Sequence, residues 1–169
     1  VNDWAFCECS CLTKIVIPDS VSEIGEGAFY ACTGLTELII PDSVTKIGYG
    51  AFDGCTLLES INVSENNSNY KSIDGILFNN ELTTIICFPV KHNNTTYTIP
   101  NNVTEIDDLA FNGCTSLESI DIPNSVTIIG YGAFRGCTSL KNITIRCTNI
   151  DNIKVYVYPN PFDDNIFDN

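Results

Sequence analysis

The stretch AFYACTGLTELIIPDSVTKIG, residues 28–48, decides the fold. Its apolar residues fall at Ala28, Phe29, Cys32, Leu35, Leu38, Ile40, Val44 and Ile47, a spacing that no single helix or strand sustains. Read outward, the same letters return. Ala-Phe recurs at Ala5-Phe6, Ala51-Phe52, Ala110-Phe111 and Ala133-Phe134, in steps of 23 apart from one of 59, which holds one repeat and a 36-residue insertion. Other columns keep that register: Cys9, Cys32, Cys55, Cys114, Cys137; Leu12, Leu35, Leu58, Leu117, Leu140; Ile17, Ile40, Val63, Ile122, Ile145; Ile24, Ile47, Ile106, Ile129. Agreement of several columns on one period is the mark of a repeat protein.

The spacing carries a physical reading. Leu38 and Ile40 point one way from a short strand, and Glu37 and Ile39 the other. Pro41 follows where a missing N–H does least harm, and Asp42-Ser43 supply turn chemistry. Val44-x-x-Ile47-Gly48 brings the chain back along the opposite side. The segment from Ala28 to Leu35 is too short for an independent helix and is expected to form a helical turn or 3₁₀ corner. One coil cannot bury its own apolar edge, whereas stacked coils bury a continuous ladder. Strands are expected at about 14–17, 37–40, 60–63, 96–99, 119–122 and 142–145, in one parallel sheet; finding them in separate sheets would overturn the repeat reading.

The string Ala-Phe-x-x-Cys-x-x-Leu-x-x-Ile-x-Ile-Pro-x-Ser-Val-x-x-Ile-Gly, seen from Ala28 to Gly48 and from Ala110 to Gly130, resembles the BspA-like class of leucine-rich repeat. The insertion resembles that class too, through Tyr70 to Phe78 followed by Ile85 to Pro89. The resemblance covers roughly Ala5 to Ile145. It implies a solenoid, mainly β with short helical corners, wound as a right-handed superhelix. It also implies a cell-surface or secreted protein that adheres to host or matrix proteins.

Residues 1–145 are thus expected to form the solenoid, with the insertion at about 64–98. Within it Asp74-Gly75 is a turn signal, and apolar runs at Ile76-Leu77-Phe78 and Thr84 to Phe88 flank Asn79-Asn80-Glu81, as a β-hairpin requires. Residues 146–169 lose the pattern and are expected to be a degenerate coil or partial cap, with a fraying end after Pro159. The chain has no Met and begins inside a repeat, so it reads as a piece of a longer protein.

Eight basic against 21 acidic residues give a net charge of −13, a surface that repels phosphate backbones and anionic lipid headgroups. No apolar run is long enough to span a bilayer. Nine cysteines cannot all pair within the chain, and the five in the repeat column read as small buried apolar groups. Cys32, Cys55, Cys114 and Cys137 are expected buried and reduced, with Cys7 more exposed and labelled first. Cys7-x-Cys9-x-Cys11 lacks the usual two-residue ligand spacing for zinc, and Cys9 is assigned to the core. His92 lies in a polar loop with no nucleophile placed beside it, and Glu105, Asp107-Asp108 and Asp163-Asp164 match no calcium loop. Neither a catalytic residue nor a metal or cofactor site is expected. Six Asn-x-Ser/Thr sequons, at Asn62, Asn66, Asn93, Asn94, Asn102 and Asn142, matter only where the source glycosylates.

What remains is the outward strand face. Its candidate binding residues are Lys14, Val16, Glu37, Ile39, Asn62, Thr98, Asp121 and Thr144, with Val16 and Ile39 forming a small apolar patch. The expected function is a non-catalytic protein-binding or adhesion module of a larger surface protein. An intracellular interaction scaffold, or the targeting arm of a larger enzyme, would use the same solenoid.

Overall fold

The structure, a computed structural model, describes residues 1–146 and 153–155. In chain order its strands are β1 (Glu23–Ile24), β2 (Glu37–Ile40), β3 (Lys46–Ile47), β4 (Ser60–Val63), β5 (Tyr70–Ile73), β6 (Ile76–Asn79), β7 (Thr84–Cys87), β8 (Thr96–Thr98), β9 (Glu105–Ile106), β10 (Ser119–Ile122), β11 (Ile128–Ile129), β12 (Asn142–Ile145) and β13 (Lys154–Val155). On one side β2 pairs with β4, and β8, β10 and β12 form a second parallel sheet. The register in both is one repeat, as in Glu37↔Ser60, Thr96↔Ser119 and Ser119↔Asn142. The return side holds β1 with β3 and a six-stranded sheet in the order β13-β11-β9-β7-β6-β5.

The expected single strand-face sheet is therefore two sheets. The insertion separates them, because the turn between β5 and β6 wedges beside β4 and the Ile61 N–H donates to Gly75 O at 2.8 Å. The 23-residue register survives within each block, so the repeat stands and only its continuity fails. Residues 14–17 are not a strand either: Lys14 makes one isolated bridge to Glu37.

The expected helical corners are absent among the described residues, and the hydrogen bonds show why. Alternate corner N–H groups bond within the coil, as from Tyr30 to Gly27 O at 2.9 Å and from Cys32 to Phe29 O at 3.1 Å. The intervening ones bond across coils: Gly27 to Tyr49 O (3.0 Å), Phe29 to Ala51 O (2.8 Å) and Ala31 to Asp53 O (2.8 Å). A helix would take every one of these donors inward. The alternation needs left-handed backbone at two columns, Trp4, Gly27, Gly50, Leu109, Gly132 and Glu8, Ala31, Gly54, Gly113, Gly136, which glycine mostly fills at little steric cost.

The insertion forms an antiparallel β5–β6–β7 meander. Asp74 and Gly75 both have positive φ, as a two-residue primed turn demands. Asn67, one of the most buried polar side chains, anchors its start by donating to Pro41 O at 2.7 Å and Val44 O at 3.0 Å while its Oδ1 accepts the N–H groups of Asn69 and Tyr70. Strand β6 is buried on both faces. Leu77 enters the core of the first coils, and Ile76 and Phe78 enter that of the later ones, so β6 is a wall between two cores. Phenylalanines stack on either side of it: Phe6, Phe29 and Phe52 in one core, Phe88, Phe111 and Phe134 in the other.

Cys32, Cys55, Cys114 and Cys137 are buried as expected, and all are free thiols. Cys9 corrects its assignment: no described coil packs on its outer side, and it is exposed, as is Cys11, while Cys7 is half-buried. Past Ile145, β13 pairs with β11 through Ile129↔Val155, a step of 26 rather than 23. The rest of the expected degenerate coil, with the fraying end after Pro159, lies outside the described residues.

Candidate functional site

Two patches of strand face emerge from the eight candidate residues. In the first, Lys14, Val16, Glu37, Ile39 and Asn62 lie on adjacent coils, with Ile39 in register with Asn62. Lys14 Nζ is 2.7 Å from Glu37 Oε1, an exposed ion pair that contributes little stability but holds both side chains beside the apolar residues. Val16 is 80% and Ile39 53% exposed, which marks them as surface by placement rather than by fraying. A shallow cavity of ≈ 160 Å³ lies here, lined by Val16, Ile39, Lys14, Glu37, Pro41 and Ser64. β-Branched side chains are stiff, so a partner burying them loses little rotamer entropy.

In the second patch Thr98, Asp121 and Thr144 are in register on β8, β10 and β12. Asp121 is already engaged by the Arg146 guanidinium, with Nε to Oδ1 at 2.8 Å. Its polar, partly paired surface offers less to a partner than the first patch. The sequence columns place all eight residues on one continuous face, and the structure does not bring the two groups together.

His92 has a structural setting. Its ring lies 4.8 Å from that of Phe88, and Nε2 is 2.8 Å from Asp74 O, tying the hairpin turn to the return of the chain. Among the described residues no group of three or more His, Cys, Asp or Glu is placed to hold a metal ion, and no helix is long and apolar enough to cross a membrane. Burial pushes the thiols of Cys55 and Cys137 up to about 12 and about 11, so they stay protonated and unreactive.

Sequence reasoning missed a second feature, at Asp107. Its carboxyl is raised to about 6, first by burial and then by Asp108 and Glu105, against the lowering effect of the Asp108 N–H. A signal was present: Gly25, Gly48 and Gly130 share one repeat column, in which Asp107 replaces glycine between regular coils and Asn2 holds the position in the first. A Cβ on any of those three glycines would come within 2.4 Å of the preceding coil's backbone, so a side chain at 107 requires that coil to be displaced.

A coil of parallel bridges, a repeat-length register and a corner of alternating inward and cross-coil hydrogen bonds define a leucine-rich-repeat solenoid. The family model described as a BspA type leucine rich repeat region matches residues 1–95 and 84–162 in six copies, and the chain belongs to that family. Members are generally protein-interaction or surface-associated modules and typically non-catalytic. Among solved structures, a leucine rich cell surface protein from Faecalibacterium prausnitzii is 38% identical with a TM-score of 0.69, over 75% of this chain and 34% of that one. The pneumococcal vaccine antigen PcpA is 28% identical with a TM-score of 0.69, over 73% and 31%. A leucine-rich repeat protein from Eubacterium ventriosum is 30% identical with a TM-score of 0.64, over 78% and 41%. The matched region thus spans only 31% to 41% of the length of those chains. Comparison with curated proteins finds no match.

Proposed function

We propose that this repeat region is an adhesion or recognition module of a larger cell-surface or secreted protein, and that it holds its partner protein on the strand face around Val16 and Ile39. The observation that carries the reading is the pair of exposed, adjacent β-branched side chains on rigid backbone, bracketed by the Lys14–Glu37 ion pair. Similarity to a leucine rich cell surface protein supports the location. The test is binding of the purified region to immobilised matrix proteins and to cultured host cells. Val16→Asp with Ile39→Asp should abolish the binding, and Thr98→Asp with Thr144→Asp should leave most of it. Equal loss in both pairs, or no binding by the parent to any surface, would reject the assignment.

An intracellular scaffold is the second reading, favoured by the free state of all eight described cysteines. The start of the full-length reading frame separates the two, since only a surface protein carries an export signal there.

A further inference from the structure

Among the described residues the corner ladder is interrupted beside the insertion. Three N–H groups cross to the following coil at Trp4, Phe6 and Glu8, at Gly27, Phe29 and Ala31, and again at Leu109, Phe111 and Gly113. Beyond Gly50 the following coil is the one that carries the insertion. Its corner is cut short: Phe88 N–H rejoins the ladder at Ala110 O (2.7 Å), but the chain then turns back and the Lys91 N–H donates to Leu58 O at 2.8 Å. Among the described residues the N–H groups of Gly50 and Phe52 consequently have no protein acceptor. A cleft of ≈ 260 Å³ opens there, and its lining includes Gly50, Asp53, Asp107, Asn112 and the apolar Ile86 and Phe88.

Both carboxylates have an oxygen to spare. Asp53 Oδ1 accepts from Asn112 Nδ2 at 2.6 Å and Asp107 Oδ1 accepts the Asp108 N–H at 2.8 Å, and no basic side chain among the described residues pairs with either group. The cleft therefore combines backbone donors, two anionic groups and apolar lining residues. A lysine side chain matches it, with a methylene stem for the apolar lining, an ammonium for the carboxylates and its own backbone carbonyl for the waiting N–H groups. The volume suits one such side chain with its backbone and is small for a drug-sized molecule. Asp107, at a position held by glycine in the coils of Gly25, Gly48 and Gly130, is what supplies the second charge.

We propose that the cleft beside the insertion is a second binding site, which takes a lysine-bearing segment of a partner protein. It lies away from the strand face and does not rest on that assignment.

The test uses the peptide acetyl-Gly-Lys-Gly-amide, with norleucine and glutamate versions as controls, titrated into the ¹⁵N-labelled chain. Gly50, Phe52 and Leu109 amide signals should move with the lysine peptide and stay still with the other two. Asp107→Asn should weaken the interaction by roughly fivefold to tenfold, as expected for a partly buried charge pair, and Asp53→Asn provides the same reading if the first variant fails to fold. Asp19→Asn, on the exposed strand side, should change nothing. In the free chain the Gly50 amide should exchange with deuterium faster than that of Gly27, its equivalent one coil earlier. Protection of Gly50 to the level of Gly27, shifts spread evenly over the acidic surface, or equal response to the norleucine peptide would each overturn the proposal.

Discussion

Asp107 shows how one residue links stability to the cleft. Its carboxyl titrates at about 6 in the fold, against an ordinary 3.8. The native state thus binds more protons than the unfolded chain between those values, and stability contributed by this site falls as pH rises through that window. Below it the group is neutral in both states and the penalty is gone. Asp107→Asn should therefore raise stability at pH 7 by about 2 kcal/mol, discounted for residual solvent contact, and the advantage should vanish near pH 4. Denaturant midpoints of the two proteins across that range check it; a constant difference would show that the carboxyl is not perturbed. The ladder cysteines make a second case. Each thiol donates to the phenylalanine carbonyl of the preceding coil, as from Cys32 to Phe6 O (3.0 Å), Cys55 to Phe29 O (3.1 Å) and Cys137 to Phe111 O (3.1 Å). The column therefore selects a small donor as well as a small apolar group. Thiol labelling of the native chain should modify Cys9 and Cys11 first, then Cys7, with the four buried cysteines last; early labelling of Cys55 would contradict the packing.

The informative element is β6. Its run Ile76-Leu77-Phe78 is apolar throughout because both faces meet a core, the pattern of a strand covered on two sides. Leu77→Ala and Phe78→Ala should each cost about 2–5 kcal/mol, but in different places. Amide exchange should accelerate mainly in β2 and β4 for the first variant and mainly in β8 and β10 for the second. Identical exchange patterns would mean that the two cores unfold as one.

Over the whole molecule, neighbour contacts dominate, as in other stacked repeats. Phe111 has ring partners on both sides, Phe88 at 4.9 Å and Phe134 at 5.1 Å, whereas Phe52 stacks on Phe29 at 6.1 Å and faces the cleft on its other side. Both truncations to alanine remove a buried ring, a loss of about 3–5 kcal/mol. Phe111→Ala should fall at the upper end and Phe52→Ala at the lower. Chemical denaturation of the two variants decides it, and a larger loss at Phe52 would mean that the insertion coil supports that ring after all.

Repeat length, the inward columns and the hairpin turn at Asp74-Gly75 were legible in the sequence, because each follows from local spacing and side-chain size that every coil restates. The outward direction of Val16 and Ile39 was legible for the same reason: side chains alternate along a strand wherever it is placed. Other features depended on what each coil meets. Cys9 keeps the cysteine column yet is exposed, since burial comes from a neighbouring coil and not from the residue. The corners looked helical by spacing but spend alternate N–H groups on the next coil. The strand face divides, and the Asp107 cleft opens, because 36 inserted residues cannot follow the path of a 23-residue turn; where those residues would go was a matter of tertiary packing alone.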